Sequence, residues 1–383
     1  MMFTNELTEK LKRHETPFYY YDLDLLREAL SVASGEAANR GFRLHYAVKA
    51  NFNPAIMKII AGYGLGADCV SGNEIEHAVN CGFPAGETVF AGVGKSDREI
   101  ETALRLGIKC FNVESAAELE VIDEIAGRTG HRAAVALRIN PNVEAHTLRH
   151  ITTGTDENKF GIRIAELEKV ITLLAGLENV DFNGIHFHIG SQITDLNVYR
   201  TLCTRVNEVW QWFTDRDMEP DDINLGGGLG ISYEEPDRFP AFADYFEIFR
   251  KHLDRNIRST ISFELGRSLT AGCGSLISRV LFVKPGAGET FLILDAGMTE
   301  LLRPALYHAL HRIENLTSVQ PARKYTVAGP VCETTDTFGK FISLPETRRG
   351  DLIAIRSAGA YGEVMAMRYN MRSLPPAVFS DDI

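Results

Sequence analysis

Eight times between residues 44 and 266, a short run suited to a β-strand gives way to a stretch suited to a helix. The strand-like runs are LHYAV (44–48), GADCV (66–70), TVFAG (88–92), CFNVE (110–114), AAVALRIN (133–140), FNGIHFHIG (182–190), DINLGGG (222–228) and TISFELG (260–266). Segments such as NEIEHAVNCG, DREIETALRLG, AAELEVIDEIAG and IAELEKVITLLAGL lie between them, with apolar residues three and four apart, the helical period. Strand–helix alternation implies parallel strands joined by crossovers. Eight such units close most naturally as a TIM-type (β/α)8 barrel. The competitor is a doubly wound open sheet, but no GxGxxG follows the first strand.

After Gly266 the rhythm changes. SLISRVLFVKPGAGETFLILDAG reads as two strands around a Pro/Gly turn, and KYTVAGPVC, GDLIAIRSAG and EVMAMRYN continue the β pattern. This predicts an α/β chain with the barrel at 25–266 and a mostly antiparallel β domain at 267–383. The early run TPFYYYD (16–22) is strand-like too, so segment 1–24 is expected to pair with the β domain. Residues 146–162, polar and glycine-containing, interrupt the fifth crossover as either a lid over the barrel mouth or a long surface loop.

Composition excludes several classes. A net charge of -11 is wrong for a nucleic-acid surface, which needs clustered lysine and arginine. No apolar run approaches the roughly 18 residues of a membrane helix, and the charged start MMFTNELTEKLKRHE lacks an apolar signal core, so a cytoplasmic protein is expected. None of the six cysteines forms a CxxC pair, and no metal site is expected.

In barrels of this kind the active site forms at the C-terminal ends of the strands. Those ends carry Lys49, Asp68, Glu114, Asn140, His188, the glycines 226–228 and Glu264. Lysine is rarely buried, so Lys49 after YAV is either a snorkelling side chain or one chosen for its amine. In a barrel mouth such an amine is suited to a Schiff base. Gly226, Gly227 and Gly228 are either a turn or a cradle whose N–H groups approach a phosphate. Lysine and cradle together point to pyridoxal 5'-phosphate (PLP). Glu264 would then face the pyridine nitrogen and keep it protonated. Of the two histidines in HFHIGSQ, one is read as turned into the barrel and one away, with His188, nearer the strand end, stacked on the ring. Asp68 would hold the lysine or the histidine.

YAVKAN, HFHIGSQ, GGGLGISY, RPALY, GPVCETTD and SAGAYG, in that order from Tyr46 to Gly362, resemble the diaminopimelate decarboxylases. These are PLP enzymes of the alanine racemase-like fold, a barrel followed by a β domain. The resemblance implies decarboxylation of meso-2,6-diaminopimelate at its D-centre to L-lysine and CO2, the last step of lysine biosynthesis. It makes Lys49 the cofactor lysine, His188 the stacked residue, and Ser191 with the three glycines the phosphate site. Arg267 would contact cofactor and substrate, as would Tyr361, while Arg303 and Tyr307 hold the distal carboxylate. Cys332 and Glu333 would be offered by the partner subunit of a homodimer, the cysteine as proton donor and the glutamate for the distal amine. On its residue type alone Cys332 is more commonly a buried structural thiol, and its neighbours Glu333 and Asp336 in a glycine-flanked loop turn the reading to catalysis.

Two departures from the family pattern occur. Leu265 stands where proline is usual, relaxing one backbone restraint near Arg267, and Thr334 and Thr335 replace two serines. Rival readings are decarboxylases of the same fold acting on ornithine, arginine or carboxynorspermidine. A substrate with only a distal cation has no use for Arg303, which counts against the first two. A racemase would favour arginine against the pyridine nitrogen, where Glu264 stands. A non-catalytic partner-binding homologue would be expected to lose the lysine or the cysteine.

Overall fold

The computed structural model describes residues 3–143 and 159–383. Of the interrupted fifth crossover, residues 146–158 lie outside the described residues, and with them the question of a lid. The chain divides into two compact units, residues 30–230 with 241–266, and residues 1–29 with 231–240 and 267–383.

The first unit is the barrel. Its strands are β2 (Phe42–Ala47), β3 (Gly66–Cys69), β4 (Thr88–Phe90), β5 (Cys110–Val113), β6 (Ala133–Asn140), β8 (Val180–His186), β9 (Asp222–Gly227) and β10 (Thr260–Leu265), numbered with β1 and β7 given below. All pair in parallel in chain order, with β10 on β2, so the eight close on themselves. A two-residue strand, β7 (Ile162–Arg163), adds to β6. The intervening helices start and stop where local chemistry dictates. Ser71 and Ser115 accept the backbone N–H three residues on, at Glu74 and Glu118, satisfying donors the first turn leaves orphaned. Gly107 and Gly130 end helices Asp97–Leu106 and Ala116–Thr129 in the left-handed conformation that glycine adopts without a Cβ penalty.

The second unit is built on β11 (Gly274–Pro285), which pairs antiparallel with β1 (Phe18–Tyr21), β12 (Thr290–Leu294) and β16 (Leu352–Ile355). Strands β13 (Ile313–Asn315), β14 (Ala322–Ala328), β15 (Thr337–Pro345) and β17 (Ala377–Phe379) complete the sheet, with β12–β14 and β1–β17 its parallel pairs. Phe3, Leu11, Phe18 and Tyr20 are buried against Ile277, Leu352 and Ala354, so the early segment contributes to this unit's core.

Two readings of the sequence are corrected. EVMAMRYN is not a strand: Glu363–Met365 and Tyr369–Met371 are 3-10 turns, and Asn370 and Met371 have positive φ. Its apolar residues are only partly buried and show no in–out alternation, so there is no sheet face for them to occupy. Residues 231–240, read as barrel, belong to the second unit, because Tyr233 is hydrogen-bonded by Arg267 and Arg303, and Asp237 is paired with Arg356.

Candidate active site

Strand register assembles the barrel cluster. Ala47 lies opposite Asp68 on β3, so Lys49, in the single 3-10 turn Val48–Ala50 after β2, reaches that aspartate. Its Nζ is 2.6 Å from Asp68 Oδ2; the lysine side chain is 36 % exposed and the aspartate fully buried. Burial, reinforced by Glu264, pushes the Asp68 carboxyl up to about 6. The amine therefore stands at the rim, anchored from below by a carboxylate that water does not reach.

Glu264 is the centre of the barrel interior. Its Oε1 accepts from Asn224 (2.8 Å) and Asn112 (3.3 Å), and its Oε2 meets His186 Nε2 at 3.1 Å. Burial alone would raise its pKa. The charge and hydrogen bond of His186, with the charge of Lys49 behind them, outweigh burial and hold the carboxyl well below the usual carboxylate range. Glu264 is thus a buried, ionised carboxylate. Burial, with Arg138 next in weight, pushes His188 down to about 3, so its ring is neutral.

The expectation that one histidine of HFH points away is wrong. His186 bonds Glu264, and His188 Nδ1 accepts weakly (3.4 Å) from the Gly227 N–H, whose own strand neighbour is Glu264. Residues two apart share a face of a strand, so both turn inward.

The three glycines are required by their neighbours whatever they bind. A Cβ on Gly226 would come within 2.3 Å of Phe187 O, on Gly227 within 1.9 Å of Glu264 O, and on Gly228 within 2.4 Å of Gly190 O. Gly226 and Gly228 also have φ of +64° and +91°. Ser191 follows Gly190 in that loop and is partly exposed. The remaining strand-end residues form a buried pair: Arg138 donates to Glu114 Oε1, and Glu114 Oε2 accepts from the Gly161 N–H at 2.7 Å. Asn140 caps the local turn, its Oδ1 accepting from the Asn142 N–H at 3.0 Å.

The second unit carries another cluster. Arg267 Nη1 and Arg303 Nη1 both donate to the Tyr233 hydroxyl, at 2.6 and 2.5 Å. Arg267 also lies over the Tyr361 ring, 4.7 Å from its centroid. Tyr307, in the same short helix as Arg303 (Arg303–Tyr307), is half-buried. Cys332 and Glu333 stand exposed on the loop between β14 and β15, with Glu333 accepting from the Tyr369 hydroxyl at 2.8 Å. That loop is tied down by buried Asp336, whose carboxylate accepts from the backbone N–H groups of Met298 (2.6 Å) and Val331 (2.7 Å). Sequence reasoning thus missed His186, Asn112, Asn224, Tyr233 and His311, whose Nε2 lies 3.3 Å from Arg303 Nη1. The two-residue spacing of the histidines was a usable signal for His186; Tyr233 and His311 carried none.

A closed parallel barrel with an amine at its rim and a buried ionised carboxylate inside is the arrangement that a PLP-dependent decarboxylase needs, and the chain belongs to that class. Residues 26–271 match the family described as pyridoxal-dependent decarboxylase, pyridoxal binding domain. Within the class it is a member of the diaminopimelate decarboxylase family. It is 53 % identical over 378 residues, 98 % of each chain, to the diaminopimelate decarboxylase of Bacteroides thetaiotaomicron. The crystal structure of the Helicobacter pylori diaminopimelate decarboxylase complexed with L-lysine superposes with a TM-score of 0.93 at 39 % identity, covering 98 % of this chain and 94 % of that one. The M. jannaschii enzyme, also in complex with L-lysine, gives 0.90 at 34 % identity, covering 97 % and 89 %. The barrel residues fit the cofactor: an amine for its aldehyde, an ionised carboxylate for a protonated ring nitrogen, and a neutral imidazole that adds no charge.

Proposed function

We infer that the chain catalyses the PLP-dependent decarboxylation of meso-2,6-diaminopimelate to L-lysine and CO2, the last step of lysine biosynthesis. The observation that carries this is Glu264, a carboxylate kept ionised inside the barrel that also presents Lys49. Bound PLP supplies the electron sink for the broken Cα–carboxylate bond, and Glu264 sustains it by keeping the ring nitrogen protonated.

The chain's own residues divide the remaining work. Lys49 would hold the cofactor through its amine. His188, neutral, would face the cofactor ring, and Ser191 with Gly226, Gly227 and Gly228 would hold the phosphate. Tyr361 and Arg267 contact cofactor and substrate. Arg303 and Tyr307 bind the distal carboxylate and Glu333 the distal amine, so a substrate lacking either leaves a site group unpaired. Cys332 delivers the proton to Cα after CO2 leaves. Cys332 and Glu333 are exposed on their loop, which supports a working form in which a homodimer shares its sites. Among the described residues no helix is long and apolar enough to cross a membrane, and we place the enzyme in the cytoplasm.

The test is lysine and CO2 release from PLP-loaded protein given meso-diaminopimelate, the LL-isomer or carboxynorspermidine separately. Lysine from the meso isomer alone is the expected result. Turnover of carboxynorspermidine instead would overturn the roles of Arg303, Tyr307 and Glu333.

A further inference from the structure

Arg303 is 6 % exposed, and a buried guanidinium normally has a carboxylate partner, because an unpaired buried charge is costly. Here, among the described residues, the hydrogen-bond partners of Arg303 are neutral. Its Nη1 donates to the Tyr233 hydroxyl at 2.5 Å and approaches His311 Nε2 at 3.3 Å. His311 Nδ1 lies 2.8 Å from the Arg356 carbonyl oxygen, which can only accept. The proton therefore sits on Nδ1, and Nε2 is left to accept from Arg303. The Tyr233 ring packs edge-on against His311 with centroids 4.8 Å apart, and the Arg303 guanidinium lies 4.9 Å from the Tyr233 ring centroid. Burial, and then the second cation Arg267, push the Arg303 pKa down.

Tyr233 joins the two cations. Its oxygen accepts from Arg267 at 2.6 Å as well as from Arg303, from residues 34 and 70 positions away in sequence. A phenol oxygen has two acceptor positions and one proton. With both acceptor positions taken, its proton is left to donate. Two guanidiniums drawn onto one neutral oxygen, with a third donor between them, form a receptor for an anion with planar, bidentate geometry, which is a carboxylate.

We propose that Tyr233 is a specificity-determining residue: it clamps Arg267 and Arg303 into a receptor for the distal carboxylate and adds its own hydroxyl proton to that receptor, with His311 fixing Arg303 from the other side. This rests on the reading of Arg303 given above and extends it to residues that make the guanidinium selective. Without the hydroxyl, the two cations lose their common acceptor and repel each other apart. Affinity for ligands bearing the carboxylate then falls, while affinity for those lacking it does not.

The product offers a direct probe, since L-lysine keeps the distal carboxylate and cadaverine has none. Calorimetric titration of each into PLP-loaded protein, wild type, Tyr233→Phe and Arg303→Gln, separates the cases. The expected result is a loss of L-lysine affinity of about tenfold to a hundredfold in Tyr233→Phe, the range for hydrogen bonds to charged groups, with cadaverine affinity changed less than about threefold. A parallel rise in KM for meso-diaminopimelate should exceed any fall in kcat. If Arg303→Gln discriminates against L-lysine but Tyr233→Phe weakens both ligands equally or neither, the role of Tyr233 is overturned and that of Arg303 stands. If Arg303→Gln leaves L-lysine binding unchanged, the carboxylate reading falls and the Tyr233 role with it. An unchanged thermal midpoint and PLP absorbance verify folding of Tyr233→Phe. Should it fail that check, His311→Asn, which removes the Nε2 acceptor, must show the same selective loss of L-lysine affinity or the proposal is wrong.

Discussion

Inside the barrel, Glu264 Oε2 lies 3.1 Å from His186 Nε2, and both side chains are buried. The pair explains how a carboxylate stays ionised where burial favours its neutral form. Glu264→Gln keeps the shape and the hydrogen-bonding capacity but removes the charge. We expect kcat to fall by about a hundredfold to a thousandfold, as when one preorganised electrostatic contact is lost, with PLP still bound. Steady-state kinetics beside a PLP titration check this, and a near-wild-type kcat would sink the role given to Glu264.

Lys49 sits at the rim with Asp68 beneath it, 2.6 Å from its amine. Borohydride reduction of the PLP-loaded protein, followed by peptide mass mapping, should place the cofactor on the peptide containing Lys49. Lys49→Ala should take up no covalent label and lose at least about a thousandfold in turnover. A label on any other lysine would remove Lys49 from the mechanism.

How much of this was legible in the chain differs from residue to residue. The barrel was, because eight runs of strand residues were punctuated by helical periods, and Lys49, Asp68 and Glu264 fell at or beside the strand ends. His186 was within reach of the same argument and was lost by assigning adjacent strand parity to residues two apart. EVMAMRYN was misread because apolar content signals a strand only where a neighbouring edge exists to pair with it. Tyr233 was beyond local patterning altogether. Its partners lie 34 and 70 residues on, and only the folded chain brings them together.

Gly227 holds Glu264 in place through absence of a side chain. A Cβ there would lie 1.9 Å from the carbonyl oxygen of Glu264, the backbone of the adjacent strand, where a shift breaks the ladder. Gly227→Ala should destabilise the protein by about 3 kcal/mol, the upper range for overpacking. Gly86, with nothing within 4 Å of its Cβ position, is the control, and Gly86→Ala should stay within about 1 kcal/mol. Chemical denaturation of both variants decides it: equal midpoints would mean the strands can separate to admit a methyl group.

Asp336 accepts two backbone N–H groups, from Met298 and Val331, at the root of the loop that carries Cys332 and Glu333. Asp336→Asn turns one acceptor into a donor facing an N–H, a buried mismatch costing about 1–3 kcal/mol. The loop should loosen, lowering kcat while PLP content holds. Cys332→Ala should lower turnover further, with stability intact because the thiol is exposed. If Cys332→Ala turns over at nearly the wild-type rate, the thiol is not the proton donor.

His311 sets an acid limit on stability. Burial, and then the charge on Arg303, push it down to about 3 from an ordinary histidine value near 6.5. Between those values the unfolded chain binds a proton that the native protein does not. Its contribution to stability is therefore complete above about pH 6.5 and lost as pH falls through the window, at about 1.4 kcal/mol per pH unit. Asp68 works the other way: raised to about 6, it gains a proton in the native state before the unfolded chain does. Comparing wild type with His311→Asn isolates the histidine. The unfolding free energy of the wild type should fall more steeply than that of the variant between about pH 6 and pH 4, by one proton's worth of slope. Parallel curves would mean His311 is protonated in the native state. Its Nε2 could then no longer accept from Arg303, and its place in the carboxylate receptor would be lost.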